Sequence, residues 1–463
     1  MWRAFTGAPA FPLSEPPAGC PHVSSLSLRL PPISRDLALV LSLRLWQAGA
    51  GLLTTILAVH FLTPELQGWY YSFISVAALY TLFDLGLSMV LVQVSAHAFT
   101  GLKWISDGRV EGEASPYFQA LVHRASRWYA SIALLFALTA VPGGMVFFGT
   151  KPAIDVHWLA PWLTLCALTA SGLVVMPFLS ILEGAGQITH VYAVRLALAV
   201  TGSISCWLTL ASGAGLWATA MVPAMTLLVP LAWLLRRRRG LISLAIGSTE
   251  GAFDWRHEVW PLQWRLGINL LCGYLLTQIN IPVLFHTQGP VIAGQLGLSL
   301  AIVNTLGLVA QSWITRRVPL MARAAVTRDW PLLDRLFKRD FLTSSAIFVM
   351  MALGVLAADL LFSHTLYARR VLPFWQLAGL LLFMFSNHVI GALAAHLRSH
   401  RREPLMAPLA ITTLIALPLI VWAAAHYSSA ELVIVLASMN FLVNLPVTVF
   451  VWSRCNRLWR LES

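Results

Sequence analysis

The stretch WYYSFISVAALYTLFDLGLSMVLVQVSA, residues 69–96, decides the fold class, because an apolar run of this length can cross a membrane as a helix. Its only charged side chain is the carboxylate of Asp84. A carboxylate at the centre of a span costs about 3 kcal/mol, so we expect Asp84 to face a cleft or a neighbouring helix. Two roles stay open: a proton or cation coupling site, or a buried carboxyl that hydrogen-bonds a neighbouring helix and stabilises packing.

The composition agrees with a membrane protein along the whole chain. Of 463 residues, 58% are hydrophobic and 11% are charged, and the mean hydropathy is +0.74. A soluble domain carries roughly a quarter charged residues. The five cysteines are scattered without a Cys-x-x-Cys pair, so we predict neither a disulfide framework nor a metal site. The prediction is an all-α polytopic membrane protein without a cofactor.

Apolar runs of about 20 residues predict about twelve spans. The first six lie near 37–62, 69–97, 126–149, 158–182, 189–211 and 214–235. The second six lie near 265–286, 290–315, 342–363, 371–397, 405–427 and 431–453. The predicted parts of the chain are a disordered Pro-rich tail 1–36, a six-helix lobe 37–235, a basic linker 236–264, a second six-helix lobe 265–453 and a basic tail 454–463.

The basic residues predict the orientation of these spans. Most Lys and Arg residues lie in loops on one side, here called the Arg-rich side, and the Arg-poor side holds only Lys151, Arg369 and Arg370. The positive-inside rule therefore predicts that both termini are cytoplasmic. Arg369 and Arg370 run against the rule and could face a substrate. On the Arg-rich side, DWPLLDRLFKRDF at residues 329–341 predicts an interfacial connecting helix.

An internal repeat relates the two halves. An offset of 221 residues gives eight identities over the 44 positions from Arg44 to Leu87, about twice the number expected by chance. The identities include Arg44 with Arg265, the pair Gln67-Gly68 with Gln288-Gly289, and Gly86 with Gly307. A repeat of six spans returns the chain to its starting side, so the lobes should be related by an axis along the membrane normal. Two such lobes would enclose a central cleft.

Three motifs resemble those of a known family. They are LTPELQGWYY at residues 62–71, FDLG at residues 83–86 and EGAGQ at residues 183–187. On a chain of about twelve spans, these motifs resemble the bacterial flippases of lipid-linked oligosaccharides, in the superfamily that also holds multidrug exporters. The resemblance implies two six-helix lobes, a location in the bacterial inner membrane and movement of an undecaprenyl-diphosphate-linked glycan to the outer leaflet. The second half has few charged residues deep in its spans, whereas such flippases are expected to line their cavity with cations.

Candidate site residues follow from position and chemistry. Arg44 and Arg265 start equivalent spans and could hold a diphosphate by bidentate hydrogen bonds, or they could be snorkelling anchors. In span 7, Pro282 frees a carbonyl beside two amides, which suits either a cavity lining or a packing cluster. The predicted cleft-lining residues are Gln278, Asn280, Asn304, Asn387 and His388. Gly86 and Gly307 are predicted to be packing points where a neighbouring helix comes close.

The function predicted from these observations is a flippase that works by alternating access. Its partners would be a lipid-linked glycan, membrane lipids, a polysaccharide polymerase and glycosyltransferases, with no nucleic acid. An ion-coupled exporter of drugs or small molecules stays open as the alternative. A membrane glycosyltransferase or polymerase is disfavoured, because catalytic loops would have to be longer than these, so we predict no catalytic residues. ATP hydrolysis is disfavoured because no GxxxxGK[ST] loop occurs.

Overall fold

The computed structural model describes residues 35–105, 109–150, 156–247, 253–400 and 404–461. Twelve helices in this part of the chain are long and apolar enough to cross a membrane, which confirms the predicted fold class. The first lobe contains spans 1 to 6, which are Ala38–Phe61, Pro64–Ala98, Ser115–Gly149, Leu159–Gly184, Ile188–Ala211 and Gly215–Arg237. The second lobe contains spans 7 to 12, which are Trp260–Gln288, Pro290–Thr315, Trp330–Leu361, Phe374–Arg398, Met406–His426 and Ser429–Arg460.

Short elements connect the spans. Between spans 2 and 3, the antiparallel strands β1 (Lys103–Trp104) and β2 (Val110–Glu111) form a hairpin that the sequence analysis did not predict. The linker between the lobes contains the helices Arg239–Ile246 and Trp255–Glu258. Helix Val318–Val326 follows span 8, and a 3-10 turn, Ala368–Arg370, precedes span 10.

Three spans are interrupted. Span 2 consists of Pro64–Ala77, Tyr80–Asp84 and Leu87–Ala98, so the single uninterrupted helix predicted there is wrong. Span 7 consists of Trp260–Thr277 and Asn280–Gln288. Span 12 consists of Ser429–Ser438, a π-helical segment Met439–Asn444 and Leu445–Leu461. Helix breaks inside a membrane need partners for the backbone groups that they free, so these segments identify where tertiary contacts are required.

The separate interfacial helix predicted at 329–341 is wrong. Asp329 caps the helix Trp330–Leu361, and this helix continues without a break into span 9. Its buried residues Leu333, Phe337, Asp340 and Ser344 follow a helical period, so one face packs continuously from the connecting segment into the membrane. The buried Asp340 lies 3.2 Å from Arg317 Nε and 3.7 Å from Arg316 Nη2, both beyond the end of span 8.

The lobes meet mainly through spans 1 and 2 on one side and spans 7 and 8 on the other. Span 2 packs along span 8, span 1 also packs against span 8, and span 7 contacts all three segments of span 2 through its two helices. The predicted tail 1–36 lies almost entirely outside the described residues. The exact lobe boundaries at 235 and 265 stay predictions, and residues 454–461 continue the last helix of span 12.

Candidate functional site

The Arg-poor ends of spans 2 and 8 approach each other at backbone distance. A Cβ atom added to Gly68 would lie 1.8 Å from the carbonyl oxygen of Pro290. One added to Gly294 would lie 2.8 Å from the amide nitrogen of Gly68, and one added to Gly297 would lie 2.5 Å from the Tyr71 side chain. Only glycine permits such an approach without a shift of the backbone. The two lobes are therefore closed against each other at this end.

Polar groups complete this closed end. The side-chain amide of Gln67 donates to the carbonyl of Gly294 across the lobe interface at 2.9 Å, and to the carbonyl of Arg370 at 3.2 Å. The Arg370 guanidinium donates to the carbonyl of Leu62 at 2.8 Å and to Gln67 Oε1 at 3.5 Å. Burial lowers the pKa of this guanidinium below its ordinary value. Arg370 belongs to the second lobe, so its side chain bridges the two lobes.

A reciprocal pair of hydrogen bonds joins spans 2 and 7 further inside. Pro282 has no N–H, so the Gln278 carbonyl lacks its helical partner, and the Ser75 hydroxyl of the other lobe donates to it. Span 2 has the matching defect, because the Leu79 amide bonds to the Val76 carbonyl rather than to that of Ser75. The Tyr274 hydroxyl donates to the Ser75 carbonyl at 3.1 Å. Each break therefore exposes one carbonyl that the opposite lobe satisfies.

Asp84 lies at the second break of span 2. Leu85 and Gly86 both have positive φ, at 47° and 72°, and the helix restarts at Leu87. The Asp84 carboxylate is 7% exposed and accepts hydrogen bonds from Tyr129 Oη of span 3 at 2.5 Å and from Ser88 Oγ at 3.0 Å. These partners belong to the first lobe, so the described contacts of Asp84 are the ones expected of a buried carboxyl that joins two helices.

The predicted packing glycines both lie against a neighbouring helix. A Cβ atom on Gly86 would lie 3.1 Å from Leu270 Cδ1 and 3.2 Å from Leu266 Cβ, both on span 7 of the opposite lobe. One on Gly307 would lie 3.0 Å from Met384 Sδ, on span 10 of the same lobe. The two glycines thus occupy equivalent positions in the repeat but meet different partners. Only Gly86 also has a backbone conformation that favours glycine.

The two predicted diphosphate ligands make separate contacts. Arg44 is exposed, and its Nη1 donates to Gln47 Oε1 at 3.4 Å on the same helix. Arg265 is exposed, and its guanidinium carbon lies 5.6 Å from the ring centroid of the neighbouring Trp264. Each of these contacts lies within the arginine's own helix. A diphosphate that bound both would therefore have to bridge side chains that are held independently.

The predicted cleft-lining residues differ in their surroundings. Asn280 is 1% exposed and donates to the carbonyl of Leu276 in its own helix at 2.9 Å. His388 is 3% exposed and contacts Ser344 Oγ at 3.2 Å between spans 10 and 9. Gln278 and Asn387 are half-buried, and Asn304 is exposed beside the contact of spans 1 and 8. Asn304 is therefore the most exposed of the five predicted cleft-lining residues.

A cavity of about 470 Å³ lies toward the Arg-rich side, opposite the closed end. Most of its lining belongs to the second lobe, including Leu266 and Leu270 of span 7, and Met89 of span 2 is the lining residue from the first lobe. Its polar lining includes Arg398 at the end of span 10 and Asn444 in the π-helical segment of span 12. Arg265 precedes the lining residue Leu266 in span 7 and is not itself part of the lining.

Comparison with known proteins rests on structure, since no protein-family profile and no curated protein matches the sequence. A solved inward-facing structure of a multidrug resistance MATE family transporter of the MOP superfamily is 13% identical, with a TM-score of 0.66 over 93% of this chain and 99% of that one. The lipid II flippase MurJ in an inward closed conformation is 12% identical, with a TM-score of 0.58 over 90% and 86%. The chain has the fold of these proteins.

The TM-score also depends on the conformation of the solved structure that is compared. An outward-facing structure of a MATE family transporter gives a TM-score of 0.51 over 92% of this chain and 96% of that chain, at 13% identity. The inward-facing structure is thus the more similar of the two.

Several residues that make the contacts described above were not predicted from the sequence. Ser75, Tyr274 and Tyr129 carry no sequence signal, because a single hydroxyl in an apolar span has many possible partners. Pro282 was recognised as a break, but the residue that satisfies its freed carbonyl lies in the other lobe, 203 residues away in the chain. Arg370 did carry a signal, since it contradicts the distribution of basic residues, although a contact between lobes was not among the roles considered for it.

Proposed function

We propose that this protein is a flippase that moves an undecaprenyl-diphosphate-linked oligosaccharide from the inner to the outer leaflet of the bacterial inner membrane by alternating access. The observation that carries the proposal is the asymmetry of the lobe interface. The Arg-poor end is closed by Gly68, Gly294 and Arg370, whereas a cavity of the second lobe, which Met89 of the first lobe also lines, lies toward the Arg-rich end. A transporter that loads on one side and releases on the other needs this arrangement and its reverse.

Three observations support the lipid-linked glycan as substrate. The motifs at residues 62–71, 83–86 and 183–187 resemble those of polysaccharide flippases. Arg398 lines the cavity, and the exposed Arg265 directly precedes Leu266, another lining residue. A diphosphate is bound well by arginine because the guanidinium forms bidentate, charge-assisted hydrogen bonds. In this proposal Arg44 and Arg265 capture the diphosphate, the sugars enter the cavity, and the prenyl chain stays in lipid.

Energy for the movement is proposed to come from protonation or cation binding at Asp84, the only carboxylate within residues 69–96. The carboxylate lies beside the break at Leu85-Gly86, and these two residues contact span 7. A change in its charge would alter the hydrogen bonds with Tyr129 and Ser88 on one side of the break. The break would then transmit that change to the interface between the lobes.

Transport assays in proteoliposomes test the proposal. A fluorescent undecaprenyl-diphosphate oligosaccharide is placed in the membrane, and its movement between leaflets is followed by quenching with a membrane-impermeant reductant. We expect the double variant Arg44→Ala with Arg265→Ala to slow this movement at least tenfold. The matched control, Arg335→Ala with Lys338→Ala, removes two exposed charges from the start of span 9 and should retain the wild-type rate. Equal rates in wild-type and empty liposomes would refute the flippase proposal.

The alternative is an ion-coupled exporter of drugs or small molecules. It is favoured by a specific observation, since the structure similar to this chain with a TM-score of 0.66 is described as a multidrug resistance transporter. The cavity lining, which is mainly apolar with Arg398 as its charged side chain, suits an apolar or anionic compound better than a cationic one. Proteoliposomes that accumulate such a compound under a proton gradient, without moving the lipid-linked glycan, would establish this alternative.

A further inference from the structure

A second pocket lies outside the lobe interface, on the first lobe near the Arg-rich end of span 3. Its volume is about 550 Å³, and its lining is basic and aromatic. Span 3 contributes His123, Arg124, Arg127 and Trp128, and the linker helix contributes Trp255. None of these residues takes part in the closed end, in the contacts of Asp84 or in the cavity between the lobes. The mechanism proposed above gives this pocket no role.

The pocket has defined walls because the linker docks on span 3. Phe253 is 2% exposed, and its ring lies 5.2 Å from that of Tyr117, measured between centroids. The Trp255 ring lies 5.6 Å from that of Trp128, and the Phe253 and Trp255 rings lie 6.1 Å apart. Aromatic contacts at these separations bury a large apolar area with a specific geometry. The basic residues of span 3 therefore face a fixed aromatic wall.

The positive charge of the pocket is not neutralised by the nearby carboxylates. Arg124 and Arg127 are three residues apart on one helix, both exposed, and neither forms an ion pair with another described residue. Asp254 pairs with His257 at 2.6 Å and caps its helix, and this interaction lowers the pKa of the Asp254 carboxyl. Glu258 accepts a hydrogen bond from the Tyr117 hydroxyl. Both carboxylates of the linker helix thus have their own partners.

Two buried nitrogen atoms of the lining residues also lack partners. Neither His123 Nδ1 nor Trp255 Nε1 has a hydrogen-bond partner in the part of the chain that the structure describes, although both atoms are buried. The indole nitrogen can only donate, and a buried donor without an acceptor is unfavourable by about 1–3 kcal/mol. Both atoms are closed off from the open space of the pocket, so an anionic oxygen there would interact with the two exposed guanidinium groups instead.

We propose that this pocket binds the phosphate headgroup of an anionic membrane lipid. A lipid fits better than a free anion because the same helix presents exposed apolar side chains immediately beyond the pocket. Leu134, Leu135 and Leu138 are 61%, 51% and 64% exposed, and they offer a surface for acyl chains. The bound lipid contacts span 3 and the Trp255–Glu258 helix together. Since span 7 begins two residues after this helix, the lipid holds the linker to the first lobe.

Lipid titration by native mass spectrometry tests the proposal on the purified full chain. Released from a neutral detergent, the protein is titrated with phosphatidylglycerol, with phosphatidylcholine and with inorganic phosphate. We expect one phosphatidylglycerol to bind at least tenfold more tightly than phosphatidylcholine. The variant Arg124→Gln with Arg127→Gln should weaken phosphatidylglycerol binding at least tenfold.

The control is Arg236→Gln with Arg237→Gln, which removes the same charge at the end of span 6, outside the pocket. It should bind phosphatidylglycerol within twofold of the wild type. Unchanged binding in the Arg124 and Arg127 variant would overturn the proposal. An equal loss in the control variant would do the same, because it would indicate general attraction between charges. Inorganic phosphate that displaces the lipid at equal concentration would identify a soluble-anion site instead.

Discussion

At the scale of the residue, Asp84 and Arg370 are charged side chains held in defined contacts, Asp84 inside the first lobe and Arg370 across the lobe interface. Asp84 is almost fully buried and receives hydrogen bonds from Tyr129 and Ser88. Arg370 donates across the lobe interface to Leu62 and Gln67. A charge taken out of water needs such partners, so each side chain is tied to the conformation that supplies them.

The substitution Asp84→Asn removes the charge of this side chain and keeps its capacity for hydrogen bonds. In Asp84→Asn, the amide oxygen still accepts from Tyr129 and the amide nitrogen can donate to Ser88 Oγ. We therefore expect the melting temperature to stay within a few degrees of the wild type while transport in proteoliposomes is lost. Asp84→Ala should lower stability as well, by about 1–3 kcal/mol, because the Tyr129 hydroxyl loses its acceptor. Full transport by a stable Asp84→Asn protein would exclude the coupling role.

Arg370 should control access at the closed end. Arg370→Ala removes the donors to Leu62 and Gln67, and a loss of about 1–3 kcal/mol would shift the equilibrium between closed and open ends roughly 5- to 150-fold. The readout is labelling of Ala293→Cys, a fully buried position beside Gly294, by a membrane-impermeant maleimide in a cysteine-free background. We expect labelling from the Arg-poor side to accelerate at least fivefold. Arg369→Ala is the control, and equal acceleration there would contradict the role assigned to Arg370.

At the scale of the element, spans 2 and 7 are interrupted helices whose defects are complementary. Pro282 leaves the Gln278 carbonyl without a helical partner, and the tightened turn at Leu79 does the same for Ser75. Hydroxyl groups of Ser75 and Tyr274 satisfy these two carbonyls from opposite sides of the interface. An unsatisfied carbonyl inside a membrane is costly, so the two breaks favour contact between the lobes at this point.

A double-mutant cycle can measure this complementarity. Ser75→Ala leaves the Gln278 carbonyl without a donor and should destabilise the protein by about 1–3 kcal/mol. In a Pro282→Ala background, the new amide of residue 282 can donate to Gln278 within the helix, so the same Ser75→Ala change should cost less than half as much. Thermal unfolding in detergent gives the four stabilities. Additive effects of the two substitutions would show that the Ser75 hydroxyl does not compensate for Pro282.

At the scale of the whole molecule, transport by this fold requires that the lobes move relative to each other while each keeps its own packing. The contacts of spans 1 and 2 with spans 7 and 8 are the ones that must change. They comprise close glycine approaches, Arg370, a few hydrogen bonds and the buried ring of Phe285, which lies 4.9 Å from that of Trp69 and 5.6 Å from that of Phe148. Contacts of this kind can exchange between two arrangements that differ by a few kcal/mol.

A covalent link between the lobes should stop this movement. A Cβ atom on Gly51 of span 1 would lie 3.4 Å from Thr305 Oγ1 of span 8, which places Gly51→Cys and Thr305→Cys within reach of a disulfide. In a cysteine-free background, we expect oxidation of the double variant to abolish transport and reduction to restore it. Each single variant, oxidised in the same way, serves as the control. Undiminished transport by the oxidised double variant would contradict movement of the lobes at this contact.

Much of the fold could be predicted because a membrane span is a local property. Each of the twelve spans needs only about 20 consecutive apolar residues, and a proline such as Pro282 marks a break wherever it occurs. The break at Leu85-Gly86 was missed, since an apolar sequence with one glycine is equally compatible with an uninterrupted helix. Among the candidate site residues, Arg44, Arg265 and Asn304 are exposed, as a substrate-binding role requires. Asn280 and His388 are instead buried between helices.

The amino-acid sequence by itself determined the class of protein, the number of spans, the repeat and the presence of a carboxylate inside span 2. Hydrophobic length and chain symmetry do not depend on which helix faces which. Only the tertiary structure decided that Tyr129 meets Asp84, that Ser75 meets Gln278 and that Arg370 closes the Arg-poor end. The physical reason is that helix rotation and tilt are set by packing, and these decide the partners of every polar group inside the membrane.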